Sequence, residues 1–480
     1  MSKTFMDACR TTRRALGTAT ALMLVSACSV GPDFVRPATP TSAHFDAQAE
    51  QSLGVNAKST AQHIHLFQDR GNDWWSIFRS PKLDAMMREA IGGNFDLVAA
   101  DAAIAQANEA VAIVRGGLRP QLDAGADTGR QRSAGRNTNF YAIGPTASFD
   151  FDLFGGTKRL VEQRAAVAEA EVHRFDAAYL TLTGDIATQA ITLASTRALL
   201  DAMKIVIRDD RKTLNLVRAG HRAGSATELD VALAKTQLAQ DEALLPPLAQ
   251  QRDVAGHALS VLAGKAPADG TSTEFDMADF ALPSNLPVSL PSEIARNRPD
   301  ILAAEAELHA ASAAIGIATA DLYPSLQLSA SLSTAGPGIG TLWGVAAALT
   351  GPIFHGGALK ARRRASIEGY RGALATYQQT VVRALGQVAD QLQAINHDSE
   401  ALAAQDRALA AAERSLQLNS GGYRVGEIDL LRVLDAERSY QLALLGRVRA
   451  QTAQHLDSVQ LIFALGGNAA GAFETGKGRR

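Results

Sequence analysis

The sequence predicts a mainly α-helical chain with membrane β-strands, built from one helix–strand–strand–helix unit used twice. Three observations carry that reading. Landmarks recur in order along the chain, four short stretches alternate apolar and polar residues, and two long stretches are rich in Ala and free of proline.

The repeat comes first, because a fixed internal spacing decides the architecture before any single element does. Asp96-Leu97-Val98-Ala99-Ala100 matches Asp300-Ile301-Leu302-Ala303-Ala304, and Leu118-Arg119-Pro120-Gln121-Leu122 matches Leu322-Tyr323-Pro324-Ser325-Leu326. Phe154-Gly155-Gly156 resembles Phe354-His355-Gly356-Gly357, Arg222-Ala223-Gly224 matches Arg424-Val425-Gly426, and Leu229 and Val231 match Leu431 and Val433. The offset hardly drifts (300 − 96 = 204; 424 − 222 = 202). Each unit reads helix, strand, strand, long helix, turn, helix. The opening helix is expected from Lys82 to Arg115 in the first unit and from Pro299 to Ala320 in the second.

The period then changes from 3.6 to 2. Tyr141, Ile143, Ala147, Phe149 and Phe151 alternate with small or polar residues, as do Leu326, Leu328, Ala330 and Leu332, and Trp343, Val345, Ala347 and Leu349. Leu122, Ala124 and Ala126 form a weaker run. Strands are expected at about 119–132, 139–153, 323–333 and 342–353. Such lengths suit tilted membrane strands, although a half-exposed sheet of a soluble domain alternates in the same way. Four strands cannot close a barrel, and an open edge cannot sit in lipid. Membrane strands therefore require several chains, and a lumen favours three or more.

The long helices follow from composition. Ala has the lowest helix cost, and no proline lies between Pro145 and Pro246 or after Pro352. Thr157 to about Arg218 spans roughly 90 Å of helix at 1.5 Å per residue. Leu374, Tyr377, Val381 and Leu385 recur at three- and four-residue steps, as in coiled-coil packing. Gly224 and Gly426 are placed to end one helix of each hairpin with positive φ. Gly31 to Pro81 and Pro246 to Pro299, rich in proline and short polar runs, read as loops with short elements forming a belt. The resulting division is 1–27 signal peptide, 28–81 linker, 82–264 first repeat with its tip near 222–226, 265–297 linker, 298–466 second repeat with its tip near 424–428, and 467–480 a partly disordered tail.

The N-terminus reads as an address. Lys3, Arg10, Arg13 and Arg14 precede a short apolar stretch, then Val25-Ser26-Ala27-Cys28, an export signal that would be cleaved before an acylated Cys28. Ser29 in place of Asp resembles an outer-membrane sorting signal. The only other cysteine is Cys9, so the mature chain would carry no disulfide framework. The net charge of −2 gives a nucleic-acid role no electrostatic support. No catalytic motif and no metal-ligand spacing occurs among the ten His; His63 and His65 read as solvated. Gly336 to Gly340 reads as a hairpin tip rather than a nucleotide loop, and Arg130, Arg132 and Arg136 as a basic loop able to meet lipopolysaccharide or only solvent.

Cys28-Ser29-Val30-Gly31-Pro32-Asp33-Phe34 with Pro37, then Trp74-Trp75 with Phe78 and Leu83, the two Arg-x-Gly turns, and Val433-Leu434-Asp435-Ala436-Glu437-Arg438 together resemble the outer membrane factor lipoproteins of the TolC/OprM/NodT family over essentially the whole mature chain. The resemblance implies a homotrimer: a twelve-stranded outer-membrane β-barrel continued by a twelve-helix periplasmic α-barrel. It implies no enzyme and no cofactor beyond the N-acyl and S-diacylglycerol lipid on Cys28. Its partners would be a periplasmic adaptor protein, an inner-membrane transporter and outer-membrane lipid. The role would be passive exit duct of a tripartite (RND-type) efflux pump for drugs and other small molecules. An exit duct for type I protein secretion, a metal-ion efflux channel and a periplasmic scaffold lipoprotein are the competing expectations. Carried onto this sequence, the family pattern makes Leu431 and Asp435 the closed gate, with Arg438 pairing an acid to hold it. It makes Arg222, Gly224, Arg424 and Gly426 the adaptor-contact tips.

Overall fold

The computed structural model describes residues 29–38, 40–42, 44–53, 62–66, 73–133, 136–270, 273–336 and 340–467. The signal peptide, Cys28, the centre of the Gly336–Gly340 turn and the C-terminal tail therefore lie outside the described residues. In chain order the elements are α1 (Ala47–Ser52), β1 (His63–Leu66), α2 (Pro81–Gly93), α3 (Phe95–Gly116), β2 (Gln121–Ser133), β3 (Arg136–Phe151), α4 (Gly156–Arg222), α5 (Glu228–Glu242) and α6 (Leu245–Leu262). They continue with β4 (Asn285–Val288), α7 (Pro291–Asn297), α8 (Pro299–Ala320), β5 (Ser325–Gly336), β6 (Gly340–Thr350), α9 (Ala358–Arg424) and α10 (Leu430–Ala464). The chain divides into two compact units, residues 1–38, 101–174 and 300–380, and residues 39–100, 175–299 and 381–480.

The first unit holds a four-stranded antiparallel sheet in the order β2-β3-β5-β6. Its register places Leu122 opposite Ala147, Ala147 opposite Ala330 and Ala330 opposite Val345. Directly opposed residues share a face, so the predicted apolar sets of all four strands lie on one side. Asp123, Thr146, Ser331 and Gly344 form a row of the other side. The apolar side is uncovered, with Trp343 78% and Val345 76% exposed. Pro145 lacks the N–H that a central strand donates, and the β3–β5 pairing is interrupted at Gly144 and Pro145. A Cβ on Gly144 would lie 1.9 Å from the Leu332 carbonyl oxygen, so only glycine admits that close approach. β2 and β6 are left as unpaired edges of this sheet.

The second unit is organised by the helices. Leu199, Met203, Val206 and Ile207 of α4 pack with Leu445 of α10. Nearer the turn, Leu214 and Val217 of α4 pack with Val231 and Ala234 of α5 and Leu430 of α10. β1 and β4 pair in parallel. A 3₁₀ turn, Trp74–Phe78, buries both indoles. The Trp74 Nε1 donates to Thr183 Oγ1 at 3.1 Å and the Trp75 Nε1 to Asp84 Oδ1 at 3.0 Å, so neither buried N–H is orphaned.

Two expectations need correction. The helix expected from Lys82 to Arg115 is two helices, broken at Asn94. The Asn94 Oδ1 accepts from the amides of Asp96 and Leu97 at 2.9 and 3.1 Å, capping α3 as a new helix. The stretch after Pro246 is not loop at its start. Pro246 sits in the first turn of the 18-residue α6, where its missing N–H costs nothing.

Candidate functional site

Both helical hairpins turn by the same chemistry. After α4, the Ser225 N–H donates to the Gly220 carbonyl at 2.9 Å and the Gly224 N–H to the His221 carbonyl at 3.0 Å. After α9, Glu427 donates to Gly422 at 2.9 Å and Gly426 to Tyr423 at 3.2 Å. These are matching Schellman pairs. Gly224 and Gly426 both have φ of 79°, which an L side chain enters only with strain. Arg222 and Arg424 are the last residues of their helices, and both are exposed. Thr227 and Asp429 then cap α5 and α10 through their side chains. The sequence-predicted tip residues are thus brought to equivalent positions of two equivalent turns.

Leu431 and Asp435 lie one turn apart on the first two turns of α10 and are exposed. With Asp429, Arg432, Ser415 and Asn419 they line a shallow groove along α9 and α10. They do not belong to the face that α10 packs on α4 and α5, where Val433, Ala436 and Glu437 are buried. Arg438 is exposed and makes no ion pair among the described residues. One helix end therefore shows two faces, an inner one fixed within the chain and an outer one carrying a leucine and a carboxylate. Among the described residues no group of three or more His, Cys, Asp or Glu is arranged to hold a metal ion.

In the first unit the residues just after Cys28 are clamped. The Val30 N–H donates to the Phe154 carbonyl at 3.0 Å. Arg159, buried at the start of α4, donates to the Val30 carbonyl at 3.2 Å, to Asp33 at 2.7 Å and to Glu162 at 2.7 Å. Gly31 crosses α8 at Gly316, where a Cβ on Gly31 would lie 2.4 Å from the Gly316 Cα. Phe34 stacks on His309 at 4.5 Å between centroids, and Arg36 pairs with Glu305. Sequence reasoning missed Arg159, Glu305 and His309. Their partners in the N-terminal segment, Val30, Asp33, Phe34 and Arg36, are more than a hundred residues away in the chain, so no local pattern marks those contacts.

The comparisons with known proteins agree with this geometry. The family model described as outer membrane efflux protein matches residues 86–265 and 290–467. The pyoverdine export outer membrane protein OpmQ of Pseudomonas aeruginosa is 30% identical over 466 residues, covering 93% of this chain and 96% of that protein. The cation efflux system protein CusC of Escherichia coli is 27% identical over 93% of this chain and 97% of that protein. The outer-membrane channel OprN superposes with a TM-score of 0.83 at 27% identity, over 92% of this chain and 100% of that one. The open state of the Neisseria gonorrhoeae MtrE outer membrane channel gives 0.79 at 27% identity, over 92% and 99%. The chain belongs to the outer membrane efflux protein family, and it is an outer-membrane efflux channel.

Proposed function

We propose that three copies of this chain form one conduit, the passive exit duct for drugs and other small molecules handed over by an RND-type inner-membrane pump and its periplasmic adaptor. The observation that carries this reading is the open sheet. Four strands with an uncovered apolar face and two unpaired edges, β2 and β6, have no stable place in lipid alone. Joined edge to edge, β6 of one copy beside β2 of the next, three sheets give twelve strands, wide enough for a lumen. Their inner face would carry Asp123, Asp127 and Asp150 from each copy, which favours cations.

The tips at Arg222–Gly224 and Arg424–Gly426 are the adaptor-docking turns in this reading. Leu431 and Asp435 form the gate. Three leucines narrow the pore, and three carboxylates near a common axis repel one another and attract cations. Arg438 meets a carboxylate of a neighbouring copy, since none among the described residues of its own chain pairs with it. Cys28 carries the lipid, and the Arg159 clamp sets the anchored segment against the strand-to-helix junction at Phe154.

Planar-bilayer conductance of the purified, acylated protein tests the reading, wild type beside Leu431→Ala with Asp435→Ala. A small, cation-selective conductance that rises sharply in the double variant, with increased vancomycin uptake by cells, is expected. No conductance from either folded protein would overturn the conduit. Equal conductance from both would move the gate elsewhere.

A further inference from the structure

Three acidic side chains are buried together on three helices of the second unit. Asp210 of α4 is 3% exposed, Asp241 of α5 is 3% and Glu437 of α10 is 7%. Covering by further copies could only lower these values. The donors around them are few. The Gln441 amide donates to Asp241 Oδ1 at 2.6 Å and the Gln237 amide to Asp241 Oδ2 at 2.8 Å. The Thr213 hydroxyl donates to Glu437 Oε1 at 2.6 Å. Asp210 Oδ2 and Glu437 Oε2 remain, sealed from solvent and without any donor.

An ionised carboxylate only accepts, so these two oxygens cannot satisfy each other or Asp241. The other charged groups facing them do not help. Asp209 of α4 adds a third negative neighbour to each. Arg208 and Lys212 bond to Asp209, and Arg211 bonds to Glu242 of α5, all with exposed side chains. Among the described residues no cationic side chain enters the cluster. A hydrogen carried by one of the carboxyl groups supplies the missing donor.

We propose that Asp210, Asp241 and Glu437 form a proton-binding site that latches α10 onto α4 and α5, with the proton resident on Asp210 and its O–H directed at the amide-held Asp241. Electrostatics point the same way. Burial first, then the hydrogen bond and charge of Asp241, then the charges of Glu437 and Asp209, raise the Asp210 pKa to about 8. Burial also raises that of Glu437, opposed by the Thr213 bond. The packed state thus holds a proton that a separated Asp210 would release at about pH 4. Packing is tightest in acid, weakens as pH rises from about 4 to about 8, and changes little above that. Glu437 lies two residues beyond Asp435, so the latch acts on the helix end assigned above as the gate. The coupling to conduction rests on that assignment; the proton site does not.

The test uses the acylated full-length trimer and two readouts. Amide hydrogen exchange over residues 430–441, corrected for the intrinsic pH dependence, is expected to lose protection about tenfold or more between pH 6 and pH 9. Asp210→Asn, which keeps the shape and supplies an N–H donor without a titrating proton, is expected to stay protected and flat with pH. Wild-type conductance should rise over the same range, and that of Asp210→Asn should not. If the variant does not assemble, the infrared spectrum of the wild type decides. A protonated-carboxyl band present at pH 6, lost through about pH 8 and retained in Asp398→Asn supports the site. Flat exchange with no such band overturns it, whatever the gate variants do. Exchange that titrates without any change in conductance supports the proton site and overturns the gate placement.

Discussion

Helices α4 and α9 have the same length, 67 residues, and occupy the same place in the two repeats, yet they are buried differently. α4 buries apolar side chains on turn after turn from Ala166 to Val217. On α9 they form a single narrow stripe, Tyr377, Val381, Ala384, Val388, Leu392 and Ile395, and no buried apolar side chain follows as far as Arg424. The steps of that stripe are three and four residues, a coiled-coil seam. The opening helices differ in the opposite sense. In its most apolar window α8 is 61% buried and α3 only 17%, although both are apolar and long enough to cross a membrane by composition alone. A duplicated sequence pattern therefore fixes the backbone twice but not its neighbours. In the proposed trimer, what α3 and α9 leave uncovered is surface that a neighbouring copy covers.

Substitutions at unlike positions of the two opening helices separate core packing from assembly. Leu308 of α8 is fully buried, and Leu308→Ala is expected to lower chain stability by roughly 2–5 kcal/mol. Ile113 of α3 is 76% exposed, so Ile113→Asp should leave the stability of the isolated chain within about 0.5 kcal/mol. It should nevertheless abolish heat-resistant trimers on unheated gels. Denaturant unfolding and gel mobility read the two effects separately. Trimers that survive Ile113→Asp would show that α3 faces water in the assembly.

The parts of the fold legible in the sequence were those whose cause is local. Period-2 alternation marked all four strands within a few residues, because opposed residues share a face in this register. Gly224 and Gly426 marked the turns, because only glycine enters that φ freely. The break at Asn94 had a local mark in Gly92-Gly93, which the reading of one continuous helix passed over, and it is fixed by an amide that also reaches the Leu262 carbonyl, 168 residues away. Pro246 misled because proline suits the first turn of a helix as well as a loop. Leu431 and Asp435 were read as a pair from the family pattern, and the helix does put them one turn apart. Glu437 lies within the same motif, but nothing local says that it faces two aspartates from α4 and α5.

The hairpin tips should show the two repeats behaving alike. A Cβ added at Gly224 or Gly426 would meet nothing within 4 Å, so the whole cost of Gly→Ala is the positive φ. About 1–2 kcal/mol is expected at each tip, read as faster amide exchange in the last turn of α4 or α9. Equal costs would show that both turns are set by backbone alone. A larger cost at one tip would reveal a contact made there by a neighbouring chain.

The repeats separate again by pH. Asp398 of α9 has an Oδ2 without a donor, and burial, then the hydrogen bond and charge of Asp457 on α10, raise its pKa to about 7. A carboxyl raised in the packed state holds its proton there and loses it when α9 and α10 part. Their packing should therefore weaken between about pH 4 and about pH 7 and level off above. The window closes earlier than at Asp210, where burial is deeper and three acids contribute rather than one. Amide exchange in residues 390–400 of α9 measures it, and Asp398→Asn should flatten that profile while leaving residues 430–441 titrating as before. A single common midpoint in both segments, lost together in either variant, would mean that α4 and α9 grip α10 as one cooperative unit. The difference in burial between the two long helices would then have no mechanical counterpart.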